Sequence, residues 1–245
     1  MNIPITPAAQ PGVPVRDIQH YMRPGLLQLT SLPPLSLYVH LPWCLKKCPY
    51  CDFNSHAWAG EQALPEQRYL DALCADLEAA LPLVWGRQVQ SIFIGGGTPS
   101  LFSSASIDRL LGDIRARLPL AAGCEVTMEA NPGTFEKDRF RAFRSAGVTR
   151  LSIGVQSFND DFLKQLGRIY EVGKAGEAVR IARRAGIGRI SMDLIFALPG
   201  QTLSQLRDDI DQALAQGTEH LSFYALTYED DTPLTLALQR GEVQP

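Results

Sequence analysis

Two kinds of hydrophobic run alternate along the chain. Short runs rich in β-branched and aromatic residues are separated by longer stretches in which apolar residues recur every three or four positions. The first kind is typical of strands and the second of helices with one apolar face. Strands that alternate regularly with helices predict parallel strands joined by crossover helices, so the pattern indicates an α/β fold.

The short runs predict six strands. They are expected at residues 36–41, 89–94, 125–130, 150–155, 189–195 and 220–226. Because helices cover the strands of such a sheet, we expect most of these strands to be close to continuously apolar. Six strands are fewer than the eight of a closed βα barrel, so the pattern fits either an open partial barrel or a doubly wound sheet. In both folds, ligands bind at the carboxyl ends of the strands.

Local signals mark the ends of several helices. Thr202 followed by Gln205 is a capping-box pattern, which predicts a helix start. Gly147, Gly186 and Gly217 each come just before a predicted strand, where a left-handed residue that ends a helix is expected. A helix before the second strand is predicted by apolar residues at helical spacing, namely Leu70, Leu73, Leu77, Leu81 and Val84.

The chain is expected to consist of an arm and one domain. Residues 1–34 are rich in proline and have little hydrophobic periodicity, which predicts an extended arm. Residues 35–245 are expected to form a single domain, because a chain of this length can bury one sizeable core.

Charge and the amino-terminal sequence exclude several classes of protein. The net charge of −3 comes from 23 basic and 26 acidic residues. Such a balance has no electrostatic footprint for nucleic acid, so we expect no nucleic-acid partner. Peripheral membrane contact stays open as an alternative. The amino terminus has neither the pattern of a signal peptide nor an apolar run long enough to span a bilayer, which predicts a cytoplasmic location.

Three of the five cysteines form a compact group after the first predicted strand. Cys44, Cys48 and Cys51 have the spacing C-x3-C-x2-C, and nothing in the sequence indicates a disulfide framework. Three thiolates with His40 or His56 as a fourth ligand would make a structural zinc site. Three thiolates alone would hold a 4Fe–4S cluster with one iron open to a small ligand. The other two cysteines are assigned no role.

A glycine-rich segment follows the second predicted strand. Residues 95–99 read GGGTP, which is compatible with an ordinary tight turn or with a dinucleotide-binding loop. The second alternative is weakened by Ser100, which stands where the third glycine of G-x-G-x-x-G belongs.

Together these motifs carry a family resemblance. Tyr38 with His40, the three-cysteine loop and the GGGTP segment resemble the radical S-adenosylmethionine superfamily. More narrowly, they look like the oxygen-independent coproporphyrinogen III oxidase family and its haem-chaperone branch. The resemblance runs from about residue 35 to the end of the chain. It implies a six-stranded parallel (βα)6 partial barrel with a 4Fe–4S cluster on the three cysteines and S-adenosylmethionine on the open iron.

The resemblance also implies which residues contact S-adenosylmethionine. They are Tyr38, Tyr50, Gly96, Gly97, Thr98, Glu129, Gln156, Arg168, Asp193 and Ala225. Some of these have a plain alternative. Glu129 is compatible with a hydrated strand end, Arg168 with a helix-end cation, and Ala225 with core packing. A carboxylate at Glu129 would otherwise face an apolar barrel, so it should be paired. Asp193 lies within an apolar strand, which favours a role in the site.

The function implied by the resemblance depends on one position after the third cysteine. In the superfamily, an electron from the cluster cleaves S-adenosylmethionine to a radical that abstracts hydrogen. The family's oxidases carry a fourth cysteine where this chain has Phe53, and the chaperone branch has phenylalanine there. We therefore expect a haem chaperone rather than turnover as a coproporphyrinogen III oxidase. Packing of Phe53 in the core is the plain alternative.

The same resemblance implies partners. These are haem or a porphyrin as bound cargo, haem-acceptor proteins, and an electron donor such as flavodoxin. No histidine spacing in the sequence identifies an axial haem ligand. The family's further carboxyl-terminal helical domain is expected to be absent or truncated in this chain.

Overall fold

The computed structural model describes residues 31–58, 63–84, 86–134, 137–168, 170 and 173–244. The chain divides into two units between Pro34 and Leu35, and the second unit contains all the strands and helices named below. The predicted arm over residues 1–34 lies, as far as residue 30, outside the described residues.

A parallel six-stranded sheet forms the centre of the fold. The strands are β1 (Leu35–Leu41), β2 (Trp43–Cys44), β3 (His56–Ala57), β4 (Val89–Gly96), β5 (Leu120–Ala130), β6 (Arg150–Gln156), β7 (Arg189–Phe196) and β8 (His220–Ala225). β2 and β3 pair only with each other, and the main sheet has the order β1-β4-β5-β6-β7-β8. All six predicted strands are confirmed. β5 begins earlier than predicted, because Leu120 already pairs with Val89.

Helices connect the strands of the main sheet. They are α1 (Glu66–Val84), α2 (Ser104–Arg117), α3 (Lys137–Ala146), α4 (Asp160–Gln165), α5 (Gly173–Arg184), α6 (Leu203–Ala215) and α7 (Pro233–Gln239). Short 3-10 helices follow β4 at Pro99–Leu101 and β5 at Pro132–Thr134.

The strand order decides between the two folds that the hydrophobic pattern alone left open, and it confirms the partial barrel that the family resemblance implies. Every strand of the main sheet pairs in parallel with the next main-sheet strand along the chain. A doubly wound sheet would reverse its order at an internal switch point. Right-handed crossovers that all advance in one direction leave the helices on one face of the sheet. The fold is therefore the (βα)6 partial barrel, with β1 and β8 at its two edges.

The helix-facing side of the sheet carries the main hydrophobic core. Leu41, Ile94, Met128, Ile153 and Met192 are all fully buried in it. Helix α1 covers this side with the predicted apolar face, where Leu70 is buried and the other four residues are partly buried against the core. Removal of this apolar surface from water is the main term that stabilises such a domain.

The opposite side of the sheet is polar, although the sequence predicts strands that are close to continuously apolar. At alternate positions on β5, β6, β7 and β8 it carries polar side chains, among them Glu129, Ser152, Asp193 and Ser222. Alternate residues of a strand point to opposite faces. The strands are therefore apolar towards the helices and polar towards the inside of the barrel, because that inside is an open cavity rather than a packed core.

The predicted helix signals are confirmed. Thr202 and Gln205 form a complete capping box at the start of α6. Gly147, Gly186 and Gly217 all have positive φ angles after their helices.

Candidate functional site

The three-cysteine loop is closed at its base by β2 and β3. Trp43 pairs with His56, and the Trp58 amide donates to the Cys44 carbonyl oxygen at 2.8 Å. On its far side the loop is held by α7, since the Leu234 amide donates to the Pro49 carbonyl oxygen at 2.9 Å. Both ends and the middle of the loop are thus fixed by backbone hydrogen bonds.

A close contact joins the cysteine loop to the segment that carries Arg168. Gly167 has a φ of +67°, and a Cβ atom there would lie 2.7 Å from Cδ of Pro49. A residue with a side chain would be strained and would push the loop away. Glycine at this position therefore lets the cysteine loop rest directly beside Arg168.

The GGGTP segment packs against the chain between β1 and β2. The Gly97 amide donates to the Leu41 carbonyl oxygen at 2.8 Å, and the Thr98 amide donates to that of Trp43 at 2.7 Å. A Cβ atom on Gly97 would lie 2.6 Å from the same Trp43 oxygen, so only glycine permits this approach. The segment is a tight turn that lies next to the first cysteine.

Arg168 takes part in a polar chain that runs across the carboxyl ends of the strands. Its Nη1 donates to Oδ1 of Asn131 at 3.2 Å, and Nδ2 of Asn131 donates to Oγ1 of Thr98 at 3.0 Å. Its guanidinium lies 5.8 Å from the centre of the Tyr170 ring. The Nε atom of Arg168 is buried and has no hydrogen-bond partner within the described residues. An unpaired guanidinium nitrogen in such a position suits an anionic group of a ligand.

Two carboxylates lie deeper on the same side of the sheet. The Gly96 amide donates to Oε2 of Glu129 at 3.1 Å. Burial raises the pKa of Glu129 to about 7, against the opposing effect of this hydrogen bond, and the nearby charge of Asp193 also raises it. Asp193 accepts hydrogen bonds from Ser152 at 2.6 Å and from Ser191 at 3.1 Å. Burial also raises the pKa of Asp193, and these hydroxyl groups partly offset it. Both carboxylates are therefore paired, as the sequence predicts for Glu129.

Gln156 ends β6 in a backbone conformation that few residues adopt. Its φ is +67°, and the register of β6 on β7 skips between Gly154 and Gln156. A Cβ atom on Gly154 would lie 2.7 Å from Nε2 of Gln156 and 3.3 Å from Nη2 of Arg168. The side chains of Gln156 and Arg168 thus meet above Gly154.

These features surround one cavity of about 910 Å³. Every predicted site residue except Tyr38 lines it: Cys44, Cys48, Tyr50, Cys51, Gly96, Gly97, Thr98, Glu129, Gln156, Arg168, Asp193 and Ala225. Tyr38 lies on edge strand β1, where its side chain is 57% exposed and its hydroxyl is 2.9 Å from Nδ1 of His40. Ala225 is exposed towards the cavity, whereas Leu226 takes the buried place in an apolar cluster.

The cavity wall also includes Phe53, which is 59% exposed. Core packing, the plain alternative for this residue, does not occur. Its ring instead offers a flat apolar surface beside the cysteine loop.

The residues present fit an iron–sulfur cluster better than they fit the predicted zinc alternative. The three thiols share the cavity wall, and neither His40 nor His56 lines it. His40 uses both ring nitrogens, with the Tyr38 hydroxyl and with the Asn54 carbonyl oxygen at 2.8 Å. Burial raises the pKa of the Cys44 thiol, and the other two thiols raise it further, which is the repulsion that a bound cation would relieve. Among the described residues, no three His, Cys, Asp or Glu side chains are arranged around one point as a metal ion would require.

Sequence reasoning missed several polar residues of the site. Asn131, Ser152 and Ser191 each bond to a predicted site residue. A signal was present for the serines, because polar residues at every second position of consecutive strands indicate a polar barrel interior. The remaining cysteines, Cys74 and Cys124, do not line the cavity.

Among the described helices, none is both long and apolar enough to cross a membrane.

Comparisons with known proteins agree with the fold. The family model described as the radical SAM superfamily matches residues 38–213. The chain is 51% identical over 204 residues to a protein named heme chaperone HemW from Escherichia coli, covering 83% of this chain and 53% of that protein. It is 49% identical over 208 residues to heme chaperone HemW from Haemophilus influenzae, covering 83% and 54%.

Among solved structures, coproporphyrinogen III oxidase from Escherichia coli, described as a radical SAM enzyme, superimposes with a TM-score of 0.74 at 31% identity. The match covers 86% of this chain and 49% of that one. The chain thus spans about half the length of the relatives it matches.

Proposed function

The chain belongs to the radical SAM superfamily, and we propose that it binds a 4Fe–4S cluster and S-adenosylmethionine in the service of a haem chaperone. One observation carries this proposal. The three thiols and the polar groups predicted to hold S-adenosylmethionine line the same cavity of about 910 Å³. A cavity of this size exceeds what a small structural ion needs and suits a ligand of nucleoside size.

In this proposal Cys44, Cys48 and Cys51 hold three irons and leave the fourth to S-adenosylmethionine. When bound, the cluster supplies an electron to the sulfonium of the cofactor, which is the chemistry for which the superfamily is named. The protein itself contributes position and the exclusion of water. The backbone hydrogen bonds at Trp58 and Leu234 hold the loop in place for this role.

The polar groups of the cavity have distinct parts in holding the cofactor. Arg168, with its buried and unpaired Nε, suits the carboxylate of the methionine portion. Gly96, Gly97 and Thr98 offer a turn that lies against the start of the cysteine loop. Glu129 and Asp193 are acceptors for the amino group or the ribose hydroxyls. Ala225, small and exposed, leaves room for the adenine ring.

The haem-chaperone role is supported by two observations. The named relatives at 49–51% identity are heme chaperones. The exposed ring of Phe53 on the cavity wall offers a surface on which a flat macrocycle can stack. The role implies haem-acceptor proteins as partners and an electron donor such as flavodoxin. A cytoplasmic location fits, because thiols that bind a cluster require a reducing compartment.

The test is anaerobic reconstitution of the chain with iron and sulfide, followed by separate measurements of S-adenosylmethionine binding, haem binding and porphyrinogen turnover. We expect iron with acid-labile sulfide, saturable binding of S-adenosylmethionine, retained haem, and no conversion of coproporphyrinogen III to protoporphyrinogen IX. A Phe53→Ala variant is expected to bind haem more weakly while keeping its cluster.

Two results would contradict parts of the proposal. Decarboxylated product at catalytic turnover with no haem retained would favour the coproporphyrinogen oxidase alternative, for which the 31% identical structure is the precedent. Zinc without sulfide would remove the cluster and favour a structural metal site.

A further inference from the structure

The turn after β6 is strained and is held from two sides. Gln156 adopts a φ of +67°, a conformation that a residue other than glycine keeps only when the surrounding structure holds it there. On one side, the Tyr170 hydroxyl donates to the Gly154 carbonyl oxygen at 2.6 Å and lies 3.1 Å from that of Val155. On the other side, Ser157 and Phe158 bond to a carboxylate on helix α6.

That carboxylate belongs to Asp209. Its Oδ1 accepts from the Phe158 amide at 2.6 Å, and its Oδ2 accepts from the Ser157 hydroxyl at 2.9 Å. Asp209 is only 3% exposed and forms no ion pair with a described basic residue. Burial of an unpaired carboxylate is costly, so its hydrogen bonds to the turn must be what retains it there.

Asp209 also reaches the next loop of the barrel. Nε2 of Gln201 lies 3.4 Å from Oδ2 of Asp209, and Oε1 of Gln201 accepts from the Leu198 amide at 3.3 Å. This loop follows β7 and begins at Ala197, which has a φ of +58°. One carboxylate therefore ties together two strained turns at the carboxyl ends of neighbouring strands, and these strands carry Gln156 and Asp193.

We propose that Asp209 is a positioning residue for S-adenosylmethionine, holding the turn that directs the Gln156 side chain into the cavity. Asp209 does not line the cavity itself. Its effect on the ligand is therefore indirect, and the part that passes through the turn after β6 acts on the orientation of Gln156. The inference rests on the proposed function, in which Gln156 contacts the cofactor.

The test compares S-adenosylmethionine binding to the reconstituted chain and to variants with equal iron and sulfide content. Gln156→Ala and Asp209→Ala are each expected to weaken binding about tenfold. The double variant is expected to bind within about twofold of the weaker single variant, because residues that act as a unit are not additive. Asp209→Asn keeps an acceptor for the Phe158 amide and is expected to restore most of the affinity. Faster hydrogen exchange of the Phe158 amide in Asp209→Ala gives a readout independent of the ligand.

Two further variants keep the test decisive. Asp208→Ala removes an exposed carboxylate from the adjacent position of α6 and is expected to change neither binding nor exchange. Ser157→Ala removes the hydroxyl that donates to Asp209 at 2.9 Å and accepts from the Asn159 amide at 3.1 Å. It is expected to weaken binding in the same direction, including if Asp209→Ala does not fold.

The outcomes separate the inference from the proposed function. If Gln156→Ala weakens binding while Asp209→Ala and Ser157→Ala do not, the positioning role is wrong and the cofactor site stands. If the affinity losses of the two single variants add fully in the double variant, Asp209 has only a structural role. If Gln156→Ala binds S-adenosylmethionine as tightly as the parent chain, Gln156 is not a contact and the positioning role of Asp209 is wrong. A reconstituted parent chain that does not bind S-adenosylmethionine would instead contradict the proposed function itself.

Discussion

The two faces of the sheet are built from alternate residues of the same strands, yet they serve different purposes. Met128 and Met192 point to the helices and are fully buried. Their neighbours Glu129 and Asp193 point into the cavity, where hydrogen bonds to backbone and serine groups hold them. In the proposed function, residues that stabilise the core and residues that bind the ligand are thus neighbours along the chain. Substitutions at adjacent positions should therefore have effects of different kinds.

The largest effect is expected on the cavity side, at the cysteine loop. Alanine in place of Cys44, Cys48 or Cys51 should abolish the iron–sulfur chromophore after anaerobic reconstitution, because three ligands are the minimum for the proposed cluster. Iron and acid-labile sulfide analysis measures the loss. The matched controls Cys74→Ala and Cys124→Ala lie away from the cavity and should keep the cluster. Full iron and sulfide in any of the first three variants would remove that cysteine from the ligand set.

The next largest effect is expected on the helix-facing side. Met128→Ala should lower the free energy of unfolding by about 2–5 kcal/mol, because it leaves a cavity in a packed core. Urea denaturation measures this change. Affinity for S-adenosylmethionine, measured under conditions where the variant is folded, should stay close to that of the parent chain. If Met128→Ala lost as much affinity as a cavity-side variant, the prediction that the two faces have different roles would be wrong.

A smaller effect is expected for Asp193→Ala, and it should appear in the affinity for S-adenosylmethionine rather than in the free energy of unfolding. The lost hydrogen bonds to a charged group are worth about 1.5–3 kcal/mol, or roughly a ten- to hundredfold loss in S-adenosylmethionine affinity. Iron and sulfide content should not change. Isothermal titration of the reconstituted variant checks the prediction, and an unchanged isotherm would place Asp193 outside the binding site.

The smallest effect is a pH dependence that comes from Glu129. Its pKa is raised by burial to about 7 in the folded chain, so the folded state holds a proton that the unfolded state has lost between about pH 4.5 and 7. The free energy of unfolding should therefore fall as pH rises through this range, by at most about 1.4 kcal/mol per pH unit from this group. Glu129→Gln should lose this part of the slope and be more stable than the parent chain above pH 7. Parallel curves for variant and parent would show that Glu129 does not titrate as its surroundings indicate.

Most of the architecture was predictable because strands and helices differ in the period of their apolar residues. All six strands and the capping box at Thr202 follow from local pattern alone. The polar inner face did not follow from it, because the strands were interpreted as covered on both sides. Neither did the choice of a partial barrel, since strand order is a property of pairing between distant segments.

The parts of the candidate site that consist of short sequence motifs were predictable. The cysteine loop, the glycine segment and the strand-end carboxylates carry recognisable residue types at fixed spacing. Asp209 carries no such signal, because it lies in the middle of a helix whose sequence resembles any amphipathic helix. Its partners Ser157 and Phe158 are distant in sequence, and only the packing of α6 brings them together.

The contact between Pro49 and Gly167 has a consequence for substitution. Pro49 lies between two of the three cysteines, and Gly167 immediately precedes Arg168. A side chain at residue 167 would separate the cysteine loop from Arg168. Gly167→Ala is therefore expected to disturb the three thiols and the guanidinium together, through one substitution that touches neither of them.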